Sequence, residues 1–398
     1  MTFDAADLLD LADPRVVADP YPRLAAVRDR APLAWHGGLG MFVATSHAAC
    51  NEVLRARGLG RVFAPPKPGN EWETFNWLHA DSILDSEPPK HTRLRRLVQG
   101  AFARGHVARL APRIEQLAAG LLDACERAAR EQGGVFDVIG CYAEPLPVLV
   151  IAELLRWPEQ DRHVLRPWSQ AIVKMYEVRP TREQQDAAVR AGGEFAAYVE
   201  ELARERAREP GEDLLSDLVA ARDAGDRLSG RELVATVVLL LNAGHEASVN
   251  GFGNGLASLL GGGHLVAARA ADPALLAEEM LRHDSPLHLF ERTATRDVLI
   301  DGVTVRRGQK VAALLGAANR DPAVFEAPDA FRPERDPNPH LAFGAGIHFC
   351  LGAPLARLEL QISSAALLGR FPSLRVVEAR RRPTFVLRGY ERLLVATG

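Results

Sequence analysis

From Ser229 to the glycines at 261–263 the chain runs without a proline, and its middle is almost wholly apolar. Ser229-Gly230-Arg231-Glu232 places a hydroxyl three residues before a carboxylate, a capping-box pattern that starts a helix. Leu233 through Leu241 then follow with no polar face, so the helix they form must be buried on most sides. Continued to about Leu260 at 1.5 Å per residue, it is roughly 45 Å long, enough to cross a whole domain. A fold containing such an element is organised around it. Gly251, Gly253 and Gly255 make the second half weaker as a helix, because each glycine costs about 1 kcal/mol relative to alanine.

Other segments point the same way. Over residues 105–134 the apolar positions Val107, Leu110, Ile114, Leu117, Leu121 and Cys125 recur every three or four residues, with Pro112 near the first turn and Gly133-Gly134 as a stop. Residues 181–209 are rich in Ala, Glu, Gln and Arg and read as a second long helix, interrupted at Gly192-Gly193. Short strand-like pieces occur at 33–44, 298–305 and 384–396. The expected fold class is mainly α with a small β-rich part. No internal repeat or low-complexity linker divides the chain, so residues 1–398 read as a single domain.

Composition excludes several classes. A net charge of -3 lacks the basic surplus of a nucleic-acid binder. Cys50, Cys125, Cys141 and Cys350 are too scattered for a disulfide framework or a zinc knuckle, and a reducing compartment is the simpler reading. The longest near-candidate for a membrane span, 233–243, falls short of the ~18 residues needed and contains Thr236 and Asn242. The N-terminus is acidic and shows no signal pattern. A cytoplasmic, unanchored protein is expected.

The chemistry concentrates at Phe343-Gly344-Ala345-Gly346-Ile347-His348-Phe349-Cys350-Leu351-Gly352. This glycine-rich loop presents one cysteine just before the helical segment that begins Ala353-Pro354-Leu355. Gly344, Gly346 and Gly352 permit backbone angles and close approaches that other residues do not. The positive end of a helix dipole favours thiolate over thiol. Thiolate plus close backbone approach suits an axial ligand to haem iron. The run resembles, position for position, the cysteine loop of cytochrome P450, a class of Cys-ligated haem proteins.

That resemblance covers nearly the whole chain and implies the cytochrome P450 fold, heme b (iron protoporphyrin IX) and Cys350 as the metal ligand, with Phe343 and Gly352 beside it. It also gives meaning to motifs that are weak alone. His91 and Arg95 lie i, i+4 on the helix opened by Pro88-Pro89, and two donors on one face suit a carboxylate. With Arg292 and His348 they match the family's clamp on the haem propionates. Lys90, Arg93 and Arg96 on the same turns read equally as a basic patch for an acidic electron donor or as a solvated face. Glu279-x-x-Arg282 matches the family's buried ion pair, with Arg335 as the third member; these three are assigned to scaffolding.

Inside the long helix, Asn242-Ala243-Gly244-His245-Glu246-Ala247-Ser248 matches the family's oxygen-binding groove. Gly244 opens a notch in the helix, and Glu246 in apolar surroundings needs a hydrogen bond or a place on a proton path. The family pattern is acid followed by threonine. Here Ala247 takes the alcohol's position and Ser248 follows one residue later, rotated about 100°. Three readings stand: a substrate hydroxyl or ordered water replaces the alcohol, Ser248 acts through water, or oxygen activation is poorly coupled. The first is favoured.

By resemblance the substrate pocket is lined by Trp72, Phe75 and Trp77, by Leu240 and Ala243, by His288 and Phe290, and by Tyr390. This set predicts a largely apolar substrate, with His288 as a hydrogen-bond donor or acceptor to it, or else bonded to backbone. The implied function is insertion of one oxygen atom from O2 into a small organic molecule, in secondary metabolism or catabolism. Electrons would come from a ferredoxin and ferredoxin reductase, since the sequence contains no flavin or iron–sulfur module. A peroxide-driven haem-thiolate oxygenase and a non-catalytic docking domain are the alternatives.

Overall fold

The computed structural model describes residues 3–65, 69–99, 107–177, 180–223 and 226–398. They group into two compact units. One comprises Met1–Gly60, Ala118–Ala143 and Ala247–Gly398; the other comprises Arg61–Leu117 and Glu144–Glu246.

The first unit is built on a five-stranded sheet in the order Leu33–His36, Met41–Ala44, Lys310–Leu314, Leu289–Ala294, Leu59–Gly60. Lys310–Leu314 runs parallel to Met41–Ala44 and antiparallel to Leu289–Ala294. Alternate residues of a strand point to opposite faces. Val311 and Ala313 accordingly bury against Ala49, Cys50, Val53 and Leu54 of the helix His47–Arg55. Ala312 and Leu314 bury against Tyr21, Leu24 and Val27 of the helix Tyr21–Arg30. Both faces are covered, which is why this strand shows no polar alternation.

A second sheet places Tyr390–Ala396 between Arg375–Arg381 and Val135–Asp137. The exposed, charged Arg375–Arg381 forms one edge, a composition that discourages edge-to-edge pairing. The segment 298–305 is a hairpin whose central Asp301 and Gly302 both have positive φ, the geometry of a two-residue turn that matches strand twist.

The second unit is helical. Arg182–Arg208 starts at Thr181 with a complete capping box and passes through Gly192-Gly193 unbroken. Gly192 faces Leu78 and Phe75, so the helix Glu73–Ala80 lies close against it.

The long helix spans Gly230–Gly261. Its capping box is reciprocal: Glu232 N–H donates to Ser229 Oγ at 3.3 Å, and Ser229 N–H donates to Glu232 Oε2 at 2.9 Å. Its second half stays helical because the glycines are packing notches. A Cβ on Gly255 would lie 2.4 Å from Met280 Cβ, and one on Gly253 would lie 2.7 Å from Ile139 Cδ1. By length and composition this helix would suffice to cross a membrane, contrary to the sequence reading. Yet 67% of its most apolar stretch is buried inside the protein, as in a core helix. The helix expected over 105–134 is observed as Ala111–Glu131, a turn at residues 109–110 preceding it; residues 105 and 106 lie outside the described ones.

Candidate active site

Cys350 sits at the end of a tight loop. Its N–H donates to Phe343 O at 3.0 Å, closing the loop on itself, while Phe349 N–H reaches Gly346 O and Gly344 N–H reaches Leu341 O. Gly344 and Gly346 have φ of 68° and 72°, angles that strongly favour glycine. Gly346 is also pressed against the chain: a Cβ there would lie 2.5 Å from the carbonyl oxygen of Leu54. Gly352, with φ of -81°, is the N-cap of Ala353–Arg370.

The structure brings Glu279, Arg282 and Arg335 together in a buried cluster. Arg282 Nε and Nη2 donate to the two oxygens of Glu279 at 2.7 and 2.8 Å, and Arg335 Nε adds a contact at 3.1 Å. The N–H of Arg332 and the amide of Asn338 complete the carboxylate's shell. The remaining guanidinium donors reach the carbonyls of Asn319, Pro328, Ala330 and Glu326. Burial alone would raise the Glu279 pKa, but the Arg282 fork and its neighbours hold it below the ordinary value. Asn319 links this cluster to the cysteine loop, because its Oδ1 accepts the N–H of Leu341 at 2.7 Å.

Along the long helix, Leu241, Asn242, His245 and Glu246 are buried, while Leu240 and Ala247 are half-covered and Ala243 is exposed. Positions 240, 243 and 247 share one helical face, and Gly244 beside them is likewise only partly covered. His245 Nδ1 lies 3.2 Å from Ser169 Oγ. Gly244 does not leave the notch expected of it: Ile151 Cδ1 comes within 2.6 Å of where its Cβ would be, so the missing side chain admits the helix Pro145–Leu154 instead. Ser248 is half-buried.

His91 is buried on Lys90–Gln99, with Arg95 half-buried one turn on. Lys90 pairs with Asp81 at 2.6 Å and Arg93 pairs with Glu232, so two of the three basic-patch residues are tied to carboxylates. Arg292 is 1% exposed on Leu289–Ala294, its guanidinium 4.4 Å from the Phe290 ring. His348 closes the short turn Gly346–His348.

The aromatic pocket residues serve the protein's own packing. Trp72 and Phe75 are buried edge to face, with Phe75 against His79 and Gly192. The Trp77 ring lies beneath the Arg231 guanidinium, and the Tyr390 ring beneath that of Arg381. His288 is fully buried and faces neither open space nor backbone alone. Its Nε2 lies 3.3 Å from the Tyr21 hydroxyl, which itself donates to Asp284 Oδ1 at 2.7 Å. Asp284 also accepts from Arg388 Nε at 2.8 Å and from Arg381 Nη2 at 2.6 Å. The sequence reading missed this network because its members are far apart in the chain. It also missed Glu278, His340 and Arg357, which surround the cysteine loop.

The thiols discriminate sharply among themselves. Cys50 and Cys125 are buried, Cys141 is partly so, and only Cys350 is exposed. Burial pushes the Cys125 pKa up to about 12 and raises those of Cys50 and Cys141, which keeps all three protonated. A soft thiolate ligand on a glycine-bent loop is the donor a haem iron takes, and Cys350 is the thiol placed to supply it.

Comparison with known proteins agrees with this site. The family model described as Cytochrome P450 matches residues 276–387, the stretch from Glu279 through the cysteine loop. Cytochrome P450 107B1 of Saccharopolyspora erythraea is 43% identical over 325 residues, which is 79% of this chain and 77% of that protein. Cytochrome P450 monooxygenase PikC of Streptomyces venezuelae is 39% identical over 372 residues, covering 90% and 85%. Among solved structures, P450BioI in complex with hexadec-9Z-enoic acid ligated acyl carrier protein matches with a TM-score of 0.91 at 34% identity, over 97% of this chain and 99% of that one. The chain belongs to the cytochrome P450 family. It is a haem monooxygenase, an oxidoreductase that uses O2.

Proposed function

We propose that this protein, acting as one catalytic domain over residues 1–398, oxygenates a largely apolar small molecule that carries a hydroxyl near the reacting carbon. The observation that supports this most is the helix face of Leu240, Ala243 and Ala247, less covered than the neighbouring Leu241, Asn242, His245 and Glu246, with alanine where the family pattern has an alcohol. An apolar wall favours an apolar substrate. The missing alcohol assigns one hydrogen-bonding role to the substrate itself.

Cys350 would hold the haem iron through its thiolate, and Phe343 and Gly352 would border it. His91, Arg95, Arg292 and His348 are the donors assigned to the haem propionates. Haem held there would supply the redox chemistry for oxygenation of the substrate by O2. Glu246 carries protons inward, Ser248 serves that path through water, and Ala247 leaves room for the substrate hydroxyl. Glu279, Arg282 and Arg335 keep the cysteine loop in place. Trp72, Phe75, Trp77, His288, Phe290 and Tyr390 are the further side chains assigned to substrate binding. A cytoplasmic ferredoxin and ferredoxin reductase deliver the electrons, and the name of one relative, the polyketide biosynthesis cytochrome P450 PksS of Bacillus subtilis, fits a role in secondary metabolism.

An optical spin-state titration of the ferric protein tests the substrate class. Macrolactones, hydroxylated terpenoids and steroids should give a saturable shift to high spin, and their deoxy analogues should bind yet turn over with poor coupling. Equal coupling with and without the hydroxyl would refute substrate assistance. Alanine at position 247 also supports peroxide as oxidant, so turnover with peroxide alone is compared with turnover on a ferredoxin pair; faster peroxide turnover would favour that second reading.

A further inference from the structure

Glu278 stands beside Glu279 in the chain but serves a different cluster. Its Oε1 accepts from Arg357 Nε at 2.6 Å and its Oε2 from Arg357 Nη2 at 2.8 Å, a bidentate fork. His340 Nε2 lies 3.0 Å from the same Oε2. Because His340 Nδ1 accepts the N–H of Ala342, the ring proton sits on Nε2 and is donated to the carboxylate. Burial would raise the Glu278 pKa, but these donors bring it down to about 2. The guanidinium so held lies 4.5 Å from the centre of the Phe343 ring, within cation–π range. Phe343 is the residue whose carbonyl accepts the Cys350 N–H. Arg357 belongs to Ala353–Arg370, the helix that begins three residues after Cys350. Loop and helix are therefore closed on each other through one side chain.

We propose that Arg357 is a positioning residue: clamped by Glu278, its guanidinium fixes the Phe343 ring and with it the Cys350 thiolate, and so sets the ferric–ferrous equilibrium of the bound haem. The inference rests on the haem-thiolate reading above. It differs from a simple charge effect in a way that can be measured. Adding an electron to the haem is favoured by a nearby cation and opposed by a nearby anion. Acting through charge alone, Arg357→Gln would lower the midpoint potential and Glu278→Gln would raise it. Acting by position, both release the same ring and shift the potential in the same direction. Arg357→Lys adds a second test, because lysine keeps the charge but cannot form the planar fork.

The experiment is a spectroelectrochemical titration of the haem-loaded wild type and the three variants, with ferrous–CO spectra to report the axial ligand. The expected result is a change of threefold or more in the ferric–ferrous equilibrium, with the same sign in all three variants. For one electron at 59 mV per tenfold change, threefold is about 28 mV. Opposite signs in the two Gln variants, or a wild-type potential in Arg357→Lys, would overturn the inference, as would unchanged potentials throughout. Should Arg357→Gln fail to fold, Glu278→Gln and Arg357→Lys decide the matter. A wild type without a thiolate-type CO spectrum would overturn the haem-thiolate reading, and this inference with it.

Discussion

Arg388 Nε donates to Asp284 Oδ1 at 2.8 Å, joining residues 104 apart in the chain with both side chains buried. Arg381 takes the other oxygen, and the remaining Arg388 donors reach the carbonyls of Val17 and Ala18. Burial would raise the Asp284 pKa, but its hydrogen-bonding neighbours and the two arginines hold it well below the ordinary value. His288 sits beside this carboxylate as a neutral ring: burial, reinforced by the arginines, lowers its pKa to about 4. The gap of 3.8 Å between His288 Nε2 and Asp284 Oδ1 fits a ring bonded through the Tyr21 hydroxyl in place of a direct ion pair.

This arrangement predicts acid sensitivity that begins near neutrality. His283 also has its pKa lowered to about 4, by burial and by Arg320. A folded pKa below the unfolded value of about 6.5 means that the unfolded chain binds the extra proton first. Stability from both imidazoles is therefore complete above pH 6.5 and lost as pH falls toward 4. Each contributes a slope of up to about 1.4 kcal/mol per pH unit. Urea denaturation at pH 7, 6 and 5 should show the loss, and His288→Gln should remove about half of it. A profile level between pH 7 and 5 would contradict the assignment.

Breaking the Glu279 cluster should be costly. Glu279→Gln strands two buried guanidinium groups and is expected to destabilise by roughly 3–5 kcal/mol. Equilibrium denaturation measures it, and a loss under about 1 kcal/mol would show that the cluster does not depend on the charge.

The cysteine loop should not tolerate a side chain at position 346. Gly346→Ala faces both a left-handed backbone and the Leu54 carbonyl at 2.5 Å, a combined cost of about 2–4 kcal/mol. Reduced melting temperature together with reduced haem retention is expected.

These contrasts show where the sequence was informative. The long helix, its cap and the helix behind Thr181 were legible, because capping boxes and apolar runs are local signals. The central strand Lys310–Leu314 was not: covered on both faces, it lacks the alternation that marks a strand. The cysteine loop and the Glu279–Arg282 spacing carried the family's likeness openly. Asp284, Arg388 and Tyr21 carried no motif, since their meeting depends on folding distant segments together. The notch read at Gly244 failed for a similar reason, because only packing reveals that Ile151 fills it.

Restoring the alcohol tests the role given to the substrate. Ala247→Thr should leave turnover and coupling with the native substrate unchanged or worse, because the added side chain competes with the substrate hydroxyl for the same place. Product formed per electron consumed is the measurement. A large gain in coupling with that substrate would contradict substrate assistance.

The most direct test of the account is the ferrous–CO spectrum of the purified protein beside that of Cys350→His. The wild type should show the red-shifted band of a thiolate-ligated haem, and the variant should bind haem but lose that band while Cys50, Cys125 and Cys141 remain. A wild type without the band, or a variant that keeps it, would show that Cys350 is not the ligand and would contradict the assignment of the site.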